Sequence, residues 1–187
     1  MRVVISQSMY FPWVGFLEQL LLADVFVLYD DVQFSKGSFT NRVQIKTTNG
    51  FNWLTLPISE LRLGQKINEV RINNNKDWRR SHRDKLCQAY SEAPYLSEML
   101  DVVDSVFSAS YATVSEISYR SMFEVASYFG LTDDLKLLNS ASLGIDGDGS
   151  QRVLDIVSRL GGDTYITGHG AKNYLDHQCF EENGIDV

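Results

Sequence analysis

The sequence predicts an α/β fold built on an open, mostly parallel sheet. The first 30 residues follow the order strand, helix, strand, which requires a crossover and favours parallel pairing with right-handed connectivity. The pair Asn49-Gly50 lies between two alternating runs and is typical of a β-hairpin. Three helical stripes then occupy residues 77–130 before strand and helix patterns return. Together these observations indicate a Rossmann-like sheet that carries a hairpin and a helical insertion.

The first crossover is short and clearly delimited. Residues 3–5 form a β-branched run that suits a buried strand. Pro12 fits the first turn of a helix, where its missing N–H would have no partner. The apolar residues at 16, 17, 20 and 21 then share one helical face. Residues 25–29 restore the strand pattern, so a buried parallel pair is expected.

The middle of the chain predicts the hairpin and the insertion. Val43 and Ile45 alternate with polar residues before the turn, and residues 51–56 lead back. Residues 67–72 fit one further strand. Asp77 is suited to an N-cap, and three apolar stripes at helical spacing follow it. We expect these three helices to form an insertion or cap over residues 77–130.

The last third of the chain returns to alternating strands and helices. Residues 135–138 predict a strand, Ser150 predicts the N-cap of a helix, and residues 164–167 predict a final strand. This strand runs directly into Gly168-His169-Gly170. In open α/β sheets, ligands bind outside the carboxyl ends of the strands. If the first and last strands share one parallel sheet, the loops that follow them face the same crevice.

Length and composition favour one compact domain. The 187 residues, 44% hydrophobic and 12% aromatic, are enough to bury a core over residues 1–187. The last four residues, Gly-Ile-Asp-Val, read like the start of a strand, so a further C-terminal part is expected beyond them.

Charge and cysteine content exclude several classes of protein. The net charge of −7 and the pI near 4.9 argue against nonspecific nucleic-acid binding. Residues 60–90 hold eight basic and four acidic side chains, which suits either a solvated helix face or a surface that attracts phosphate or a polyanionic partner. Cys87 and Cys179 lie in no metal-binding spacing and indicate free thiols. No apolar run reaches the roughly 18 residues that span a bilayer, so a cytoplasmic protein without a transmembrane segment is predicted.

Several segments of the chain resemble one protein family. They are ISQSMYFPWVGF at residues 5–16, ADVFV at 23–27, DDVQFSK at 30–36, Asn41-Arg42, and TYITGHGAKNYL at 164–175. These motifs and their order closely resemble the WbqC-like family over essentially the whole chain. Ser8 stands where the family pattern usually has proline, which predicts a less rigid turn after the first strand.

The resemblance implies both a fold and a reaction class. Proteins of this kind occur in loci for O-antigen and other surface polysaccharides, and a role in transferring an acyl or aminoacyl group, such as glycine, to an amino sugar is implied. The architecture is also similar to that of nucleotidylyltransferase-like folds. Those proteins carry a histidine pair in the first turn, where this chain has Trp13 and Gly15. We therefore expect their fold here and not their adenylylation chemistry.

The segment after the second strand predicts catalytic and anion-binding residues. The carboxylate oxygens of Asp30 and Asp31 could bind Mg²⁺, or Asp31 could act as a general base. The alternative is that the pair starts a loop and caps backbone N–H groups. Arg42 suits bidentate binding of phosphate or carboxylate, with Lys36 and Asn41 beside it, whereas surface salt bridging is the competing interpretation. The sequence names no cofactor; the acid pair would serve Mg²⁺ with a nucleotide or nucleotide sugar.

The two terminal loops predict the rest of the site. Gln7, Tyr10 and Trp13 combine aromatic faces with directional polar groups, which suits a sugar or a base; packing in the core is the alternative for both aromatic residues. His169 is exposed by its flanking glycines and is the strongest acid/base candidate, with Lys172 able to bind an anion. A turn histidine without a catalytic role is the competing view.

Three functions remain open at this point. The first is an acyl- or aminoacyl-transferase that acts on a sugar or nucleotide sugar, with Asp31 or His169 deprotonating the amine. The second is a Mg²⁺-dependent nucleotidyltransferase, and the third is a binding or scaffold protein without turnover. No nucleic-acid motif is found. The oligomeric state stays open.

Overall fold

The structure is a computed structural model that describes residues 1–187 and divides into two compact units. We call Met1–Gln7, Trp13–Asp31 and Gly130–Val187 the sheet unit, and Ser8–Pro12 and Val32–Phe129 the helical unit. The expected single domain over residues 1–187, with residues 77–130 as an insertion or cap, stays a prediction.

The sheet unit contains four parallel strands, β1 (Arg2–Ser6), β2 (Val25–Leu28), β5 (Lys136–Asn139) and β6 (Thr164–Ile166), and they lie in the order β5-β2-β1-β6. Hydrogen bonds join β1 to β2 in the register Val3 to Val25, and β6 lies on the other side of β1. This arrangement confirms the predicted Rossmann-like, mostly parallel sheet.

Helices cover both faces of this sheet because the strand side chains alternate. Phe16 of α1 (Val14–Leu22) meets Phe26 of β2 edge to face, with 5.9 Å between ring centroids. The opposite face, which includes Val3 and Val27, packs on the apolar side of α5 (Gly149–Leu160) and on α6 (His177–Glu182). The helix α5 begins one residue before the predicted N-cap Ser150, and Asp148 takes the N-cap position.

The helical unit contains the predicted hairpin and three helices. The strands β3 (Arg42–Thr47) and β4 (Gly50–Thr55) pair antiparallel around the Asn49-Gly50 turn. The helices are α2 (Trp78–Ala89), α3 (Leu96–Phe107) and α4 (Val114–Tyr128). Thr113 and Glu116 form a capping box at the start of α4, which satisfies two backbone N–H groups.

One predicted strand is wrong. Ile67–Glu69 forms a 3-10 turn, and Arg71 and Ile72 make only isolated bridges, to Thr113 and Ile58. Ile67, Val70 and Ile72 are buried as a strand interpretation requires, but no neighbouring strand runs beside them. None of the helices combines the length and the apolar character that crossing a bilayer requires.

Candidate functional site

The carboxyl ends of the four parallel strands lie at one edge of the sheet unit, and polar residues follow each of them. Gln7 follows β1, the pair Asp30-Asp31 follows β2, Ser140 follows β5, and His169 comes shortly after β6. Five of the predicted site residues, namely Gln7, Asp30, Asp31, His169 and Lys172, therefore belong to loops at this edge or to the turn that continues from it.

The strand connections reverse direction between β1 and β6. The chain proceeds from β1 to β2 and β5 on one side, and α5 then returns it to β6 on the other side. Adjacent carboxyl ends at such a switch point leave the crevice in which open α/β sheets bind ligands. Because Val4 pairs with Ile166, the segments that lead to Gln7 and His169 leave the sheet side by side.

His169 opens a 3-10 turn, His169–Asn173, and both His169 and Lys172 are exposed to solvent. Gln19 of α1 adds a residue that sequence reasoning missed: its Nε2 lies 3.5 Å from the position that a Cβ would take at Gly168. The side-chain amide of Gln19 therefore lies beside the loop that presents the imidazole. An exposed imidazole can exchange a proton with a bound amine or hydroxyl.

Trp13 occupies the N-cap position of α1 and is 55% exposed. Its ring covers Gly15, where a Cβ would lie only 1.9 Å from the ring atom Cζ3. The exposed indole excludes the core-packing alternative for Trp13 and leaves an aromatic surface that a sugar or a base can contact. Gly15 is required for this placement because any side chain there would displace the ring.

The Asp31 carboxylate is engaged by other groups of the sheet unit. Arg152 forms an ion pair with it, Ser140 donates a hydrogen bond to it, and both charged side chains are at least nine-tenths buried. Arg152 also donates from Nε to the carbonyl of Ile145 at 2.9 Å and lies over the ring of Tyr29 at 4.9 Å. Sequence reasoning missed Arg152.

These contacts decide the ionisation of Asp31. Burial raises the pKa of its carboxyl, but the hydrogen bonds from Arg152 and Ser140 and the charge of Arg152 together outweigh that effect, so the pKa lies below its usual value. A carboxylate with a lowered pKa is a weak general base. The geometry thus suits Asp31 better as the anchor of Arg152 than as the group that removes a proton, and its catalytic role stays a prediction.

The predicted Mg²⁺ site also stays a prediction. Asp30 is fully buried, and Asp31 is paired with Arg152. No group of three or more His, Cys, Asp or Glu side chains is placed to hold a metal ion. A cation at Asp31 would have to replace the guanidinium of Arg152.

In the helical unit, Tyr10 is 1% exposed and its hydroxyl lies 3.0 Å from Nδ1 of His82. Burial, with a smaller contribution from the charge of Lys85, lowers the pKa of His82 to about 4. The buried hydroxyl is already bonded, which favours the packing interpretation for Tyr10. Trp78 meets the His82 ring at 5.6 Å, so these three rings form one aromatic core.

The loop before β3 holds Arg42 in a fixed position. Its guanidinium stacks on the Trp53 ring, with Cζ 4.0 Å from the ring centroid. On the other side lies Gly37, and a Cβ there would be 3.3 Å from Nη2, 3.4 Å from Cζ and 3.5 Å from Nη1. These near-equal distances place Gly37 over the guanidinium plane. Trp53 and Gly37 therefore restrict where the guanidinium can move.

Arg42 and two residues shortly before it, Ser38 and Asn41, each have a side-chain polar atom without a partner within the protein. No acidic side chain pairs with Arg42, and its buried Nε makes no hydrogen bond. Asn41 is 4% exposed, and its Oδ1 also lacks a partner, as does Oγ of Ser38. Lys36 is exposed in the same loop. A stacked guanidinium without a carboxylate partner is an arrangement that binds phosphate or carboxylate groups.

Comparison with known proteins gives one family. A sequence model of the WbqC-like protein family matches residues 7–187. The chain is similar to "Uncharacterized protein Rv1507c" of Mycobacterium tuberculosis, with 30% identity over 188 residues that cover 100% of this chain and 80% of that protein. No solved structure matches the chain. On the extent of the family match, the chain belongs to the WbqC-like protein family.

Proposed function

We propose that this protein transfers an acyl or aminoacyl group, such as glycyl, to the amine of a nucleotide-linked amino sugar during the synthesis of a surface polysaccharide. The family resemblance implies a reaction of this class. The helical unit contains a group that can bind an anion, and the sheet unit contains an aromatic surface for a sugar and an exposed imidazole.

The observation that carries the proposal is the unpaired, stacked guanidinium of Arg42. A nucleotide-linked sugar has a diphosphate, and the planar edge of an arginine can donate two parallel hydrogen bonds to one phosphate group. Trp53 and Gly37 hold that plane before the ligand arrives. Preorganisation of this kind lowers the entropy cost of binding.

The transfer itself needs a base for the attacking amine. The sugar nitrogen forms a bond to the acyl carbon of a thioester donor, and the bond from that carbon to sulfur breaks. The proton of the amine passes to the imidazole of His169 and then to the departing thiolate. Gln7 and Trp13 orient the sugar, while Asp31 keeps Arg152 in place.

Binding and turnover test these roles separately. Titration calorimetry with a nucleotide-linked amino sugar should show saturable binding, and Arg42→Met should weaken it by roughly 10- to 150-fold, the equivalent of about 1.5–3 kcal/mol for a charge-assisted contact. Arg80→Met is the matched control because Arg80 is an exposed arginine of the helical unit whose ion pair, to Asp84, is long at 3.8 Å. Equal binding by native protein and Arg42→Met would refute the anion site.

Turnover is followed with an isotope-labelled acyl thioester. His169→Ala should lower the transfer rate by about 10²- to 10⁴-fold, the usual contribution of a general base. His177→Ala should leave the rate unchanged, since His177 is an exposed histidine at the start of α6. Saturable binding without any product would favour the binding-protein alternative, and Mg²⁺-dependent release of pyrophosphate from ATP or CTP would favour nucleotidyl transfer.

A further inference from the structure

The helical unit contains an apolar cavity that none of the residues assigned above lines. Its volume is about 370 Å³, which lies within the range of small-molecule sites in proteins. Met99, Val102 and Val103 of α3 and Val125 of α4 form its walls. One water occupies roughly 30 Å³, and a methylene group is of similar size. The cavity can therefore hold about a dozen methylene groups.

Aromatic side chains stand at the opening of the cavity. Tyr95, Tyr128 and Phe129 line it and are 70%, 53% and 59% exposed. Exposed aromatic residues that border an apolar hollow mark an interaction site rather than ordinary surface. Their rings offer apolar area and negatively polarised faces, which attract cations and repel anions.

The charge of the lining restricts the ligand further. Glu98 is the one charged residue that lines the cavity, and no basic side chain neutralises it there. A carboxylate or sulfate on the ligand would meet like charge in a partly desolvated place. Neutral and cationic ligands escape this repulsion, and a cation gains from both Glu98 and the rings.

The backbone is strained at one residue that lines the cavity. Phe11, which lines it, is the one residue other than glycine with a positive φ, at 49°. The hydroxyl of Ser121 accepts the Phe11 N–H at 2.9 Å, and the Phe11 ring packs edge to face on Tyr10 at 4.8 Å. A bulky residue in the left-handed region costs energy and is retained where the surrounding structure fixes it, often at ligand sites.

We infer that this cavity binds an apolar small molecule, of the size of a medium-length alkyl chain, whose head group is neutral or positively charged. The inference does not rest on the proposed transfer reaction, because no cavity residue has a role in that reaction. The volume sets the size of the ligand, the apolar walls set its character, and Glu98 sets the sign of its charge.

Three probes with the same ten-carbon chain test the inference: decanol, decyltrimethylammonium and decanoate, each below the concentration at which it aggregates. Calorimetry on the full chain should show 1:1 saturable binding of decanol and decyltrimethylammonium, and about tenfold weaker binding of decanoate. Absence of saturable binding by the first two probes would overturn the inference. Equal affinity for all three would also overturn it, because the ligand charge would then have no effect.

Two variants locate the binding. Glu98→Gln removes the charge of one half-buried carboxylate and should raise the affinity for decanoate to near that for decanol. Val102→Trp fills the cavity and should weaken all binding at least tenfold, whereas Leu63→Trp adds the same side chain at a fully exposed position and should change nothing. Unchanged binding in a folded Val102→Trp protein would contradict the site. If Val102→Trp does not fold, the Glu98→Gln variant decides the question. Decanoate binding that is the same in Glu98→Gln as in the native protein would contradict the site.

Discussion

Replacing Gly37 by alanine tests whether Arg42 is held in place for a ligand. Gly37 has φ +80°, and an added Cβ would lie 3.3 Å from Nη2 of Arg42. Gly64 provides a matched control, because it has φ +77° and no atom lies within 4 Å of its Cβ position. The two substitutions therefore impose the same backbone strain, and only one of them reaches the guanidinium.

The expected magnitudes differ between stability and binding. An alanine in the left-handed region costs roughly 1–2 kcal/mol, so Gly37→Ala and Gly64→Ala should lower the free energy of unfolding by similar amounts. The methyl at position 37 must also push the guanidinium by a few tenths of an ångström. The Trp53 ring, whose centroid lies 4.0 Å from Cζ of Arg42, limits this movement. We expect a loss of about 1 kcal/mol of ligand binding, roughly fivefold in Kd.

Urea unfolding gives the stability of both variants, and titration with a nucleotide-linked amino sugar gives their Kd. We expect both variants to lower the free energy of unfolding equally, and only Gly37→Ala to raise the Kd. If Gly37→Ala is destabilised as expected but binds the sugar nucleotide like native protein, the placement of Arg42 does not govern binding. If both variants bind more weakly to the same extent, the effect comes from general destabilisation and not from the contact with Arg42.

Three further predictions follow from buried groups and close contacts. Burial is the main cause that lowers the pKa of His82 to about 4, so neutral His82 contributes its full stability above the unfolded pKa of 6.5 and loses it as the pH falls. Urea unfolding should therefore show a loss of about 2 kcal/mol in unfolding free energy between pH 7 and 5, and His82→Asn should remove most of that difference. Arg152→Met should lower the free energy of unfolding by about 3–5 kcal/mol because it leaves Asp31 buried and unpaired. Adding Asp31→Asn should restore part of this loss, and strictly additive effects of the two substitutions would contradict the pairing. Gly15→Ala should leave the free energy of unfolding unchanged or raise it by up to about 1 kcal/mol, since alanine favours helix. It should also alter the tryptophan emission, because the added methyl displaces the Trp13 ring. The same spectral change in a Trp13→Phe background would contradict this prediction.

Local patterns were sufficient to predict the main elements of the fold. The β-branched run at residues 3–5 and the glycine of Asn49-Gly50 act through neighbouring residues only, through side-chain alternation and backbone freedom, so the strand and the hairpin follow from sequence. The order strand, helix, strand likewise limits the first pair to parallel strands. These predictions are confirmed by β1, β2 and the hairpin.

The same reasoning failed where a distant neighbour decides the structure. Ile67, Val70 and Ile72 have the burial of strand residues, but a strand needs a partner along its whole length, and here the segment turns and makes isolated bridges instead. At the start of α5, Ser150 was predicted as the N-cap from its residue type, but Asp148, two positions earlier and also of a suitable type, takes that position.

The candidate site shows the same division. Arg42 was selected by residue type and by its position at the entry of a strand, and His169 by residue type and by its position after one; these are properties of the sequence. Arg152, in contrast, meets Asp31 across 121 residues of chain, and no local pattern marks that pair. Gln19 was missed for the same reason: its amide is notable only because the chain brings Gly168 beside it.

The sequence by itself determined that the chain forms a parallel α/β sheet with a hairpin, and it selected the chemically capable side chains. The tertiary structure alone decided which of them are available: Asp31 is held by Arg152, Tyr10 is buried against His82, and Arg42 has no acidic partner. The physical reason is that periodicity and turn chemistry act over a few residues, whereas ionisation and hydrogen bonding depend on whatever group the fold places within about 4 Å.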